Sequence, residues 1–113
     1  ASTCESDLLN EPIADIVRVY EDMGHTIILV SGRDGQWRAQ TEAWLKKNHI
    51  SYDHLFMRGI KDARKDAILK QEIYDNNIKG KYNIKFILDD RDQSVACWRS
   101  LGLTCLQVAK GDF

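Results

Sequence analysis

Apolar positions along this chain change rhythm several times, and the changes lay out its elements. Ile13, Ile16, Val17 and Tyr20 recur at helical spacing behind Asn10-Glu11-Pro12, where Asn10 suits an N-cap and Pro12 the first turn. Gly24 can end that helix. Thr26-Ile27-Ile28-Leu29-Val30 is a continuous, β-branched apolar run without alternation, which predicts a central strand covered on both faces. Residues 36–48 return to helical spacing, with Trp37, Ala43, Trp44 and Leu45 on the inner face, and 54–57 form a short strand. Residues 62–74 predict a third helix with Ala67, Ile68, Ile73 and Tyr74 inward, and 84–88 a second firm strand. Residues 94–101 predict a fourth helix carrying Val95, Trp98 and Leu101; Gly102 stops it and 104–108 form the last strand.

Helix and strand alternate four times, which argues for an α/β fold: a doubly wound, Rossmann-like parallel sheet with helices on both faces. Such a sheet normally starts with its central strand, yet the chain opens on a helix and residues 1–10 carry no strand pattern. The expectation is a single domain over 1–113 that lacks its first central strand. Removing that strand would bare the ladder edges of its neighbours and favour pairing with another molecule, a homo-oligomer included.

Composition narrows the function classes. The 113 residues are 43% hydrophobic and hold a net charge of −1, so nothing global favours nucleic acid or a membrane surface. No apolar run is long enough to span a bilayer and no signal-peptide pattern is present. Cys4, Cys97 and Cys105 lack metal-type spacing and are odd in number, which reads as free thiols in a reducing cytoplasm. The chain contains neither a P-loop nor a Gly-x-Ser-x-Gly elbow.

The chemistry concentrates at strand ends. Ile84–Leu88 runs into Asp89-Asp90-Arg91, two adjacent carboxylates at the edge where open α/β sheets bind ligands. They repel each other, and a hard divalent cation offsets that charge; equally, either could cap the following helix. Thr26–Val30 runs into Ser31-Gly32-Arg33, a hydroxyl, a turn and a guanidinium suited to phosphate, or a plain strand-to-helix turn with a surface arginine. On the third helix Asp66 and Lys70 lie four apart and share a face, either as a wet ion pair or as a carboxylate holding an ammonium at a reaction centre. Arg58, Lys61, Arg64, Lys65 and Lys70 make the most basic stretch, able to follow a phosphate backbone or merely to meet solvent. Trp37, Trp44 and Trp98 read as packing rather than base-stacking residues, and His25, His49 and His54 have no ligand spacing.

Taken together, Gly24-His25-Thr26-Ile27-Ile28-Leu29-Val30-Ser31-Gly32-Arg33, Arg64-Lys65-Asp66 with Lys70, Leu88-Asp89-Asp90-Arg91, Trp98-Arg99, Gln107-Val108-Ala109 and the tail Gly111-Asp112-Phe113 resemble a haloacid dehalogenase-superfamily phosphatase. Within it the chain is most similar to the 3′-phosphatase domains of the polynucleotide kinase-phosphatases of T-even bacteriophages. The resemblance implies a Mg²⁺-dependent enzyme acting on nucleic-acid 3′ ends, DNA or RNA, with a kinase domain in the same polypeptide, working in the host cytoplasm. It implies Ser31, Gly32, Arg33 and Arg64 as substrate-phosphate ligands, Lys70 as the charge-stabilising lysine, Asp66 as its positioner, and Asp89 and Asp90 as metal ligands, Asp90 directly. The family's Asp-x-Asp-Gly-Thr motif is absent, so the resemblance implies that the aspartate nucleophile, the general acid/base and a further substrate arginine lie outside this chain, which alone would be inactive. A small-molecule phosphatase such as a nucleotidase, or a non-catalytic binding remnant, are the alternatives.

Overall fold

The computed structural model describes residues 11–112; the expected Asn10 cap, Cys4 and Phe113 lie outside them. Eight elements follow in the predicted alternation: α1 Glu11–Asp22, β1 Ile28–Asp34, α2 Arg38–Lys47, β2 His54–Arg58, α3 Asp66–Ile73, β3 Ile87–Asp89, α4 Asp92–Ser100 and β4 Cys105–Gln107. The chain divides after Asp62 into two compact units.

In the first unit β1 pairs with β2 in parallel, and Leu29 lies opposite Leu55. Asp53 pins the entry of both strands: its carboxylate accepts from Ile27 N at 2.8 Å and its own N–H donates to Ile27 O at 2.9 Å. Leu45, Ile50 and Leu55 form the core, with Val17, Leu29, Trp44, Tyr52 and Met57 packed around them. Each such side chain stabilises the unit by about 1.5–3 kcal/mol relative to exposure. Ile28, Leu29 and Val30 are half-buried rather than covered on both faces, because β2 is the only ladder neighbour of β1 among the described residues.

Two inward assignments on α2 are corrected. Trp37 is 43% exposed, because a 3₁₀ turn over Gly35–Trp37 precedes the helix and takes Trp37 out of its register. Ala43 is also exposed, while Thr41, donating to the Trp37 carbonyl at 2.9 Å, is buried in its stead.

In the second unit β3 pairs with β4 in parallel. Val95, Trp98 and Cys105 form its core, joined by Tyr74, Ile87, Leu101 and Leu103. The Tyr74 ring meets Trp98 edge-on at 6.2 Å, a favoured aromatic geometry. α3 starts at Asp66, four residues later than predicted, and gives way to a wider π-type turn over Tyr74–Ile78. Its inner face is Asp66, Leu69, Lys70 and Ile73, so Ile68 is exposed at 52% and the buried Leu69 takes its place. The buried face therefore carries an acid and a base among its apolar residues.

Candidate active site

The second unit holds a buried network centred on Lys70. Its Nζ lies 2.8 Å from Asp66 Oδ2 and 2.9 Å from Asp89 Oδ2, with side-chain exposures of 10, 5 and 9% for the three residues. Such burial settles one choice left open by spacing: this is no wet helix pair. An ammonium taken out of water persists only beside acceptors of opposite charge, and two carboxylates supply them here.

Each carboxylate is held in turn. Ser94, fully buried, donates from Oγ to Asp66 Oδ2 at 2.6 Å, and Arg91 Nη1 lies 4.0 Å from Asp66 Oδ1. Trp98 Nε1 donates to Asp89 Oδ2 at 3.0 Å, while the backbone N–H groups of Asp90 and Arg91 donate to Asp89 Oδ1 at 2.8 and 3.3 Å. Burial raises the Asp66 carboxyl, but the Lys70 ammonium and the Ser94 hydroxyl outweigh it and the pKa lies below the ordinary value. Burial likewise pulls Lys70 down, and Asp89 and Asp66 more than offset it, so its pKa lies above the ordinary lysine value. The lysine stays charged.

Asp90 differs from its neighbour. Its carboxylate is half-buried at the end of β3 and makes no hydrogen bond or ion pair with any described residue. Its backbone is clamped. Gln107 Nε2 donates to the Asp90 carbonyl at 3.0 Å and to Asp92 Oδ1 at 2.6 Å. Gly111 is buried flush against the same peptide, where an added Cβ would run into the Asp90 carbonyl, and its own carbonyl accepts from Asp92 N at 2.6 Å. Only glycine permits that approach. Gly111 thus braces the acidic strand end.

Among the described residues no three His, Cys, Asp or Glu side chains come together as a metal-holding group. The donor chemistry nevertheless fits a hard cation. Mg²⁺ is commonly held by one or two carboxylates with water and substrate oxygens completing its shell, and Asp90 offers such a carboxylate. Asp89, whose oxygens accept four hydrogen bonds, suits the role of outer partner.

In the first unit Ser31-Gly32-Arg33 is part of β1 rather than a turn after it. The ladder pairs Ser31 with Met57 and next Asp34 with Arg58, so Gly32 and Arg33 form a bulge. Bulges re-aim side chains beside functional sites. Ser31 Oγ accepts from Arg33 N at 3.1 Å. Arg58, read from sequence only as part of a basic stretch, braces the bulge: its Nε donates to Gly32 O at 2.6 Å and Nη1 to Asp62 O at 2.9 Å. Arg64 makes a two-pronged pair with Glu72 at 2.6 and 3.0 Å on a half-exposed surface, which a substrate phosphate would have to displace.

Ser94 is the supporting residue that sequence reasoning did not name; Trp98, Gln107, Gly111 and Arg58 were named there, but without the supporting roles the structure gives them. For Ser94, the signal available was its place in the first turn after the Asp-Asp pair.

The whole chain, residues 1–113, matches the family described as "Polynucleotide kinase PNKP phosphatase domain". The chain belongs to that family. It is also 38% identical over 76 residues to a protein of Autographa californica nuclear polyhedrosis virus named as a bifunctional polynucleotide kinase/RNA ligase, spanning 66% of this chain and 11% of that one. Among solved structures, a chain of the Pnkp1/Rnl/Hen1 complex is 47% identical with a TM-score of 0.91, over 94% of this chain and 37% of that one. A second structure, of the Pnkp1/Rnl/Hen1 RNA repair complex, agrees equally well, covering 34% of that chain. This family domain, of haloacid dehalogenase type, has a Rossmann-like α/β fold and spans about a third or less of these relatives.

Proposed function

We propose that this domain removes 3′-phosphates from nucleic-acid ends in a Mg²⁺-dependent reaction, as the phosphatase part of a polypeptide that also carries a kinase domain. The observation that carries the reading is the buried Lys70 ammonium held between Asp66 and Asp89, beside Asp90, whose carboxylate pairs with no described residue. RNA ends are the favoured substrate, because the relatives are named for RNA ligase and RNA repair. A reducing cytoplasm suits the free thiols of Cys97 and Cys105, both raised by burial and so kept protonated.

Each residue has a task that its surroundings prepare. Arg33 binds substrate phosphate through its planar fork, and Ser31 offers a hydroxyl to a phosphoryl oxygen. Lys70 neutralises charge that builds on the transferring group; because Asp66 and Asp89 hold it in place, no reorganisation is needed when that charge develops. Asp90 would hold Mg²⁺, with Asp89 steadying the shell; when bound, the ion supplies Lewis-acid neutralisation of phosphoryl oxygens. Asp66 and Asp89 share the Lys70 ammonium and spend their oxygens on it and on Ser94, Trp98 and backbone amides, which makes them poor nucleophiles. The aspartyl-phosphate of the family mechanism is therefore assigned to a carboxylate other than these.

The test is phosphate release by the complete protein, with Mg²⁺, from a 3′-phosphorylated oligonucleotide and from a free mononucleotide. Preference for the oligonucleotide in wild type, and phosphate release from both substrates abolished in K70A and in D90A, are the expected outcomes. Equal turnover of both substrates would point to a nucleotidase, and wild-type rates in either variant would remove that residue from the mechanism.

A further inference from the structure

The first unit carries an exposed aromatic that its packing does not use. Trp37 is 43% exposed, and the Arg33 guanidinium lies over its ring at 5.9 Å from the centroid. The guanidinium thus covers one face of the indole as a cation–π contact, and a flat ligand would take the other. The second exposed apolar side chain nearby is Ile60, at 66%.

The segments bearing Trp37 and Ile60 are locked together. A Cβ on Gly35 would lie 2.9 Å from the Arg58 carbonyl and 3.7 Å from Ile60 Cγ1, so the turn before Trp37 sits flush on the loop after β2. The Asp34 carboxylate accepts from Gln36 N and from Lys61 N, both at 2.9 Å, and those two bonds hold its pKa below the ordinary carboxylate range. Lys61 takes a left-handed backbone at φ 61°, a sparsely populated conformation for a residue with a side chain. The Thr41 hydroxyl fixes the Trp37 carbonyl at 2.9 Å. An apolar surface that gains nothing by exposure is thus held rigid, in an arginine- and lysine-bearing surround, next to the arginine assigned to substrate phosphate.

We propose that Trp37 is a base-stacking platform: it takes the nucleobase of the terminal nucleotide while Arg33 takes that nucleotide's phosphate, with Ile60 and Lys61 as the neighbouring wall. The inference rests on the 3′-phosphatase reading and names how that site selects nucleic acid over simple phosphomonoesters. Stacking needs only a π-face, which every base has, so it suits an enzyme acting on ends of any sequence.

The experiment compares wild type, W37A and W37F in the complete protein on a 3′-phosphorylated oligonucleotide and on p-nitrophenyl phosphate. Tryptophan fluorescence is followed as the oligonucleotide is added. In W37A the ratio of kcat/KM for the oligonucleotide to that for p-nitrophenyl phosphate falls about tenfold, mostly through KM, and W37F recovers most of it. The fluorescence quenching caused by the oligonucleotide in wild type is absent in W37F. An unchanged ratio in W37A, including a parallel loss on both substrates as expected if Trp37 packs against another part of the protein, overturns the platform. Should the wild type hydrolyse neither substrate, the phosphatase reading fails, and the quenching comparison alone decides whether Trp37 stacks on a base.

Discussion

The two strand ends to which the chemistry is assigned are built in opposite ways. Around β3 the charged groups are buried and mutually satisfied: Lys70, Asp66 and Asp89 spend their hydrogen bonds on one another and on Ser94, Trp98 and backbone amides. Around β1 the groups are half-buried, offered on a bulge, and flanked by an exposed indole. The first arrangement fixes an ammonium between two carboxylates in a low-dielectric place, where it has little freedom to reorganise. The second leaves side chains within reach of a ligand. The two are made from different materials: a polar network in a core, and a strand irregularity tied down from its neighbour.

Removing the charge at the centre should break this contrast most severely. K70A is expected to lower phosphatase turnover about 10³-fold. It also leaves two buried carboxylates without the ammonium between them, at a cost of about 3–5 kcal/mol in unfolding free energy. Turnover and urea denaturation are measured on the same preparation, and a variant as stable as wild type would deny that the network is buried. S94A removes one charge-assisted bond to Asp66 and is expected to cost about 1.5–3 kcal/mol. Thermal unfolding reads this, and no change would mean that Asp66 finds another donor.

The β1 side should respond in binding rather than in folding. R58A frees the Gly32 carbonyl and loosens the bulge, so the KM for oligonucleotide should rise about tenfold with a smaller change in kcat. If kcat falls while KM holds, the bulge acts on chemistry and the contrast drawn here is wrong.

The pH dependence of stability should also separate the regions. The depressed Asp66 pKa contributes stability that is present above the ordinary value of 3.8 and is lost as pH falls through its folded value. The raised Lys70 pKa contributes stability that is complete below 10.5 and is lost as pH rises through its folded value. Denaturation across an acid series should therefore show a steeper decline in wild type than in D66N; identical slopes would mean that Asp66 titrates alike in both states. Asp34, also depressed but exposed, leaves a residual slope in the variant. Smallest of all should be E72Q, which breaks the half-exposed pair with Arg64 and costs under about 1 kcal/mol in a thermal melt.

The sequence by itself determined the order of the elements, the class of fold and the family. Those rest on local period and on short contiguous motifs: β-branched runs for strands, Val95 and Trp98 at helical spacing, and Asp-Asp-Arg at a strand end. It also put Asp66 and Lys70 on one helix face, since a four-residue spacing does so in any α-helix. Only the tertiary structure decided which charged groups meet. Asp89 belongs to Lys70 through a contact spanning 19 residues, and Ser94 reaches Asp66 across 28. Periodicity cannot report such pairings, because it says which face of an element is buried and not which neighbour that face meets. The same limit explains Trp37. Its apolar character predicted the core, but Gly35 pressed against the Arg58 backbone makes a 3₁₀ turn ahead of the helix and leaves the indole in solvent.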